Sequence, residues 1–248
     1  MIRRSFRLLM ALGVLALATG RARADFNFQV FSDNALTTQL YSQNGNVPVD
    51  LAALNGAVAS RGLQFSSLLV TSNAGSQPAN GYASLTLDGV ASRLQSAPAI
   101  AELFILTVAN NYTAPAGPVF PLVSSASHSF TNVGAGTSPY FQGIFNNSNQ
   151  LDARGVGTAF LVFGPPQGNS TQTLTSPVVS ALGEVPYTLA TVTRIRLVGS
   201  AGATDAFSGI TSIGLAPAAV PEPASMAMLA VGGLGIIGAA RRRKAKLA

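Results

Sequence analysis

The sequence predicts an all-β fold, an antiparallel β-sandwich of jelly-roll-like or immunoglobulin-like type with at most one short helix. Three observations carry that prediction. Short apolar runs recur along the chain, each closed by Gly, Pro, Asn or Ser, as at Ser72-Asn73-Ala74-Gly75, Asp88-Gly89 and Gly164-Pro165-Pro166. Some runs alternate with a period of two: Ile195 and Leu197 oppose Arg194 and Arg196, and Leu85 and Leu87 oppose Thr86 and Asp88, as half-exposed antiparallel strands require. Helical periodicity is confined to one short stretch, Leu51-Ala52-Ala53-Leu54 behind Asp50.

Taken in order, residues 1–24 have the parts of a secretory signal. Arg3, Arg4 and Arg7 precede an apolar run from Leu8 to Ala18, and Ala22-Arg23-Ala24 is a small-x-small cleavage site with the cut expected after Ala24. Arg3-Arg4-Ser5-Phe6 is also similar to a twin-arginine signal, so the export route is open between the two machineries. The body, residues 25–216, opens with Phe26, Phe28 and Val30 alternating against Asn27 and Gln29. Asp50 is expected to cap the one helix, and Asn55-Gly56 to interrupt it. Strand-like runs follow over 63–71, 82–88, 101–108, 119–130, 158–163, 171–179, 191–198 and 207–215, about nine strands in all with the first. The runs Leu103-Phe104-Ile105-Leu106 and Phe160-Leu161-Val162-Phe163 do not alternate, and both are expected to be central strands covered on two faces.

The net charge of +6 suggests nucleic acid until its distribution is read. Ten of the fifteen basic residues lie before Asp25 or after Ala240, whereas from Asp25 to Glu222 five arginines face nine acids, a balance of −4. Such a body has no footprint for a phosphate backbone, so no nucleic-acid partner is expected. The chain has no cysteine, which excludes disulfides and thiolate chemistry.

Catalytic and ligand-binding patterns are sparse. His128, the only histidine, stands in Ser127-His128-Ser129, but neighbours on a strand point to opposite faces and no Gly-x-Ser-x-Gly elbow accompanies them. The carboxylates are scattered singly, so neither a metal site nor a cofactor is expected, and the body is expected not to be an enzyme. A glycosidase pair assembled by the fold, with Asp152 and Glu184 as examples of available acids, is the hydrolase alternative. Arg194 and Arg196 share a strand face that is either a solvated surface or a receptor for an anion. Tyr82, Tyr112, Tyr140 and Tyr187 are either core and rim residues or platforms for sugar rings, although the absence of Trp weakens the latter. Asn111, Asn146 and Asn169 fit the Asn-x-Ser/Thr acceptor pattern.

The last segment, residues 217–248, combines a Pro221-Glu222-Pro223 break, uncharged residues 224–240 and a basic end over 241–246 that includes Arg241, Arg242, Arg243 and Lys244. Seventeen residues of helix rise about 25 Å, at the short end of a membrane span, and the basic stop would remain on the cytoplasmic side. This three-part tail resembles the PEP-CTERM sorting domain of Gram-negative bacteria that export polysaccharide. The resemblance implies that Pro221, Glu222 and Pro223 are recognised by exosortase, a membrane-embedded enzyme that processes such tails, and that the membrane anchor is transient. The expected function is therefore that of an exported structural or adhesive protein. It would meet the export machinery and exosortase, pass through the inner membrane, and reach the cell surface, the extracellular space or a biofilm matrix containing exopolysaccharide. A carbohydrate-binding module is the other alternative.

Overall fold

The computed structural model describes residues 25–214 apart from 46–47, 75–81, 96–97, 116–118, 152–154, 165 and 167. The elements run β1 Phe26–Phe31, β2 Gln39–Asn44, helix α1 Leu51–Val58 continued by a 3-10 turn Ala59–Arg61, β3 Leu63–Ser72, β4 Ala83–Arg93 and β5 Ile100–Tyr112. They continue with β6 Val119–Val133, β7 Tyr140–Asn146, β8 Val156–Gly157, β9 Leu161–Val162, β10 Gly168–Thr175, β11 Val179–Leu182 and β12 Tyr187–Ile213. The described chain is thus mostly antiparallel sheet with one short helix, the all-β class that the sequence predicts.

Two sheets are built around β12. Its residues 187–198 pair with β5 on one side and β7 on the other, and its residues 204–213 pair with β4 and β6. The first sheet runs β2-β1-β5-β12-β7, with β8 and β9 beyond β7. The second runs β3-β4-β12-β6, with β10 and β11 beyond β6. The bend falls at Gly199-Ser200-Ala201-Gly202, where φ values of +139° and +82° at the two glycines lie where side chains are disfavoured. The runs 191–198 and 207–215 expected as separate strands are therefore one strand that changes sheets.

The two halves of β12 lie face to face across the core. A Cβ on Gly209 would sit 2.3 Å from a ring carbon of Phe141, whose strand partner in the first sheet is Thr193. A Cβ on Gly143 would sit 2.2 Å from both Ser124 Oγ and Thr211 Oγ1 of the second sheet. Glycine at both places lets the layers close to contact. The main interlayer cluster includes Phe28, Val30, Phe65, Leu87, Leu103, Ile105, Phe130, Phe141, Phe163, Ile195, Leu197 and Phe207. Fully burying side chains of this size stabilises by roughly 1.5–3 kcal/mol each before chain entropy is charged. A second cluster around Tyr112, Phe145, Tyr187 and Ile213 extends the core.

Within this frame the local expectations divide. Asp50 caps α1, its carboxylate accepting from the Ala53 N–H at 3.0 Å. The helix nevertheless runs through Asn55-Gly56 to Val58, because the Asn55 carboxamide bonds both backbone groups of Phe65 and Leu54 and Val58 are buried in the core. Leu103 to Leu106 are buried on both faces between β1 and β12, as expected. Phe160 to Phe163 are not a central strand. Only Leu161–Val162 pair, and only with β7, so Leu161 and Phe163 point inward while Phe160 and Val162 are 54% and 55% exposed. The run 171–179 is split into β10 and β11 by Ser176-Pro177-Val178, where proline can donate no ladder hydrogen bond.

The close approach of the layers predicts that Gly143→Ala lowers unfolding free energy by about 2 kcal/mol, as overpacking does, whereas Gly56→Ala, with open space at its Cβ, raises it by about 0.5–1 kcal/mol. Urea denaturation of the full chain measures both.

Candidate functional site

The outward side of the second sheet is lined with hydroxyls. Ser125, Ser127 and Ser129 of β6 stand opposite Thr175, Thr173 and Thr171 of β10, and each pair is hydrogen-bonded at 3.0 or 3.1 Å. Alternation puts every second residue of SASHS and TQTLT on this face, so the pattern is a direct consequence of strand parity. Beside it, a groove of about 460 Å³ is lined by residues that include Ser67, Leu69, Asp88, Val90, Ser127 and Ser208. Asp88 is the single ionisable group among its lining residues, so the groove offers hydrogen bonds with little charge.

The same parity sends His128 inward. Its imidazole is 1% exposed, and Nδ1 lies 2.9 Å from both carboxylate oxygens of Asp205, itself fully buried. Phe163, Phe130 and Phe207 surround the ring at 4.2, 5.8 and 6.0 Å between centroids. Phe207 is the register partner of His128, which leaves Asp205 diagonally across on the adjacent strand. Ser127 and Ser129 point to the opposite face, so neither presents its hydroxyl to this imidazole. The sequence did contain a signal for the pair: Asp205 falls on the buried parity of β12, between Ala203 and Phe207. Nearby in the interior, Thr158 Oγ1 donates to Ser124 Oγ, which lies 3.3 Å from Thr211 Oγ1, and the hydroxyls of Thr107 and Thr191 pair across β5 and β12.

The outward side of the first sheet is different again. Phe104, Leu106, Val108, Tyr140, Ile144 and Val192 form an apolar cluster there, with Leu36 and Leu151 packed against it. Asp33 shapes the segment carrying Leu36, accepting from the N–H groups of Thr37 and Thr38 and the Thr37 hydroxyl. The backbone donors, Thr37 first, hold its carboxyl down at about 2. Asn34 accepts from the Tyr140 hydroxyl at 2.6 Å.

At one end of this face Arg194 and Arg196 flank Glu102, with nitrogen-to-oxygen distances of 3.7 and 3.8 Å. Arg194 donates to the Ser138 carbonyl and hydroxyl, and its guanidinium lies 4.7 Å from the Tyr140 ring centroid. Tyr140 in turn meets Phe160 edge-on at 4.9 Å. The structure thus brings Arg194, Arg196 and Tyr140 together and adds Glu102 and Phe160, which the sequence did not single out for this role.

The other tyrosines do not join them. Tyr112 and Tyr187 stack on each other at 5.5 Å in the core. The Tyr112 hydroxyl donates to the Ser84 carbonyl and that of Tyr187 to the Ala114 carbonyl, while burial pushes both phenols well above their ordinary range. Tyr82 lies half-buried just before β4, and Glu184 is exposed between β11 and β12. Asn111 and Asn146 use their carboxamides internally, with Asn149 and Ser148 respectively, whereas Asn169 is exposed and accepts from the Asn132 N–H. Asp152, the cleavage residues Ala22 and Ala24, Pro221, Glu222 and Pro223, Arg241, Arg242, Arg243 and Lys244, and the expected span over 224–240 lie outside the described residues. Among the described residues, no three His, Asp or Glu side chains are grouped to hold a metal, and no helix is long and apolar enough to cross a membrane.

Residues 219–244 match the family described as the PEP-CTERM protein-sorting motif. No curated protein matches the chain in sequence. Among solved structures the chain is similar to the K3 cleaved adhesin domain of Lys-gingipain from Porphyromonas gingivalis w83, at 7% identity and TM-score 0.30 over 51% of this chain and 72% of that one. It is also similar to TmCBM61 in complex with β-1,4-galactotriose, at 11% identity and TM-score 0.29 over 60% and 88% of the two chains. A third is the CBM22-1–GH10 portion of Clostridium thermocellum xylanase 10B complexed with xylohexaose, at 10% identity and TM-score 0.27 over 66% and 28%. At these TM-scores the likenesses say nothing about what this chain binds.

The buried His128–Asp205 pair predicts strong coupling. Each single substitution, His128→Ala or Asp205→Ala, should cost about 2 kcal/mol by orphaning its partner, and the double variant should cost at least 1 kcal/mol less than their sum. A double-mutant cycle in urea measures the difference.

Proposed function

We propose that this chain, which carries the PEP-CTERM sorting motif over residues 219–244, is an exported, non-enzymatic protein whose β-sandwich body serves a structural or adhesive role at the cell surface or in the extracellular matrix. The motif match is the observation that carries the reading, because it makes the tail an address for exosortase-dependent sorting of an exported protein. On this reading residues 1–24 are removed after Ala24. Residues 224–240 then hold the chain in the inner membrane with Arg241, Arg242, Arg243 and Lys244 on the cytoplasmic side. Pro221, Glu222 and Pro223 are the residues that exosortase recognises. A Pro-Glu-Pro segment suits recognition because its two prolines fix φ and favour an extended chain that neither helix nor sheet absorbs.

The body fits such a location. The paired serines and threonines on β6 and β10 and the weakly charged groove beside them present hydrogen-bonding groups suited to a hydrated polymer. These features favour a matrix role and also the second reading, a carbohydrate-binding module, with exopolysaccharide as the partner in either case.

Replacing Pro221, Glu222 and Pro223 together by alanine should leave the chain in the membrane fraction of a host that makes exosortase, while the wild-type body leaves that fraction. Fractionation and immunoblotting check this, and unchanged release of the variant would remove the sorting roles assigned to these three residues.

A further inference from the structure

We infer that the groove on the outward face of the second sheet binds an amino-sugar unit of a polysaccharide, with Asp88 receiving the sugar's ammonium, Ser208 and Ser127 its hydroxyls, and Leu69 its C–H face. The inference deepens the matrix reading and rests on it for the kind of polymer the body would meet.

Strand register makes these groups neighbours. Leu69, Asp88, Ser208 and Ser127 stand opposite one another in a single row across β3, β4, β12 and β6, and Val90 and Ala206 face each other in the next row. At the spacings of an antiparallel sheet, Asp88 therefore has Leu69 and Ser208 about 5 Å away on either side and Val90 about 7 Å along its own strand. All six line the same groove of about 460 Å³. The small side chains of Ala206 and Ser208 leave a depression beside the longer Asp88 and Val90.

The charge pattern selects the ligand. Among the described residues, Asp88 is the only charged side chain on the outward side of β3, β4, β6, β10 and residues 204–213 of β12, because Arg93, His128 and Asp205 fall on the inward parity. Its carboxylate is half-buried and has no hydrogen bond or ion pair with another described residue. A carboxylate only accepts, so a cation with N–H donors is its complement, and partial burial strengthens that bond relative to open water. Ser127 accepts from Thr173 at 3.1 Å, which leaves its own O–H to donate. Leu69, 55% exposed, supplies the apolar contact. A hexosamine with a free amine carries an ammonium, hydroxyls and a C–H face on one rigid ring. A uronic acid would be repelled by Asp88, a neutral sugar would leave its charge unmatched, and a lysine side chain would leave the serines unmatched.

The test measures binding of the full chain, in detergent, to a chitosan tetramer and to its fully N-acetylated form, which has the same backbone without the charge. The amine form should bind, and the N-acetylated form should bind at least tenfold more weakly. Asp88→Asn should weaken binding of the amine form about tenfold and erase the preference between the two tetramers, whereas Leu69→Ser should weaken both about threefold. Thermal melts of the variants separate loss of binding from loss of fold, and Leu69, being exposed, tests the site even where an Asp88 variant is unstable. Equal binding of the two tetramers, binding of tetralysine as tight as that of the chitosan tetramer, undiminished binding by both variants, or no binding at all would each overturn the inference. A chain that is sorted and released yet ignores the chitosan tetramer defeats this inference alone, whereas a chain that is never exported defeats the matrix reading.

Discussion

Residues 187–213 form one extended strand that is central in both layers, and the rest of the described fold depends on it. Because β12 is flanked by β5 and β7 in its first half and by β4 and β6 in its second, neither sheet is continuous without it. The bend at Gly199-Ser200-Ala201-Gly202 then fixes how the two layers meet, since residues equally distant from it come to lie above one another. Small residues are needed where the layers touch, as Gly209 against Phe141 and Gly143 against Ser124 and Thr211 demonstrate. Because strand side chains alternate in direction, the second half buries its inward residues only in the register it makes with β4 and β6.

This interior accommodates several polar groups. His128 and Asp205, Thr107 and Thr191, and the Ser124–Thr158–Thr211 group all lie between the sheets, and each is matched by a partner inside. Satisfied polar groups add little net stability, but they penalise alternative registers that would leave them orphaned. With no disulfide available, packing and these directional contacts must define the body.

Much of this was legible from strand parity alone. The opposition of Ile195 and Leu197 to Arg194 and Arg196, the two-sided burial of Leu103 to Leu106 and the cap at Asp50 all follow from local pattern. The misjudged elements depended on neighbours that local pattern does not name. Phe160 to Phe163 has the composition of a central strand but meets a partner on one side only. Asn55-Gly56 reads as a helix breaker until Phe65, ten residues on, supplies the bonds that hold Asn55 in place. At the candidate site the arginines were visible as a pair, whereas Glu102, Tyr140 and Phe160 reach them from three other parts of the chain. The tail is the reverse case, since the order of its three parts is recognisable from sequence and matches a sorting motif.

The outward faces can differ because the shared strand makes the body self-sufficient: one face carries neutral hydroxyls and the other an apolar cluster ending in two arginines. The hydroxyl face is open to change with little effect on the fold, whereas the apolar cluster on the first sheet is itself buried and contributes to stability. That account stands on β12 coupling the sheets into one cooperative unit, and native-state hydrogen exchange measures this directly. The slowest amides of residues 187–198 and of 204–213 should exchange with a common opening free energy equal to that of global unfolding. Two separate values, one for each half, would contradict it.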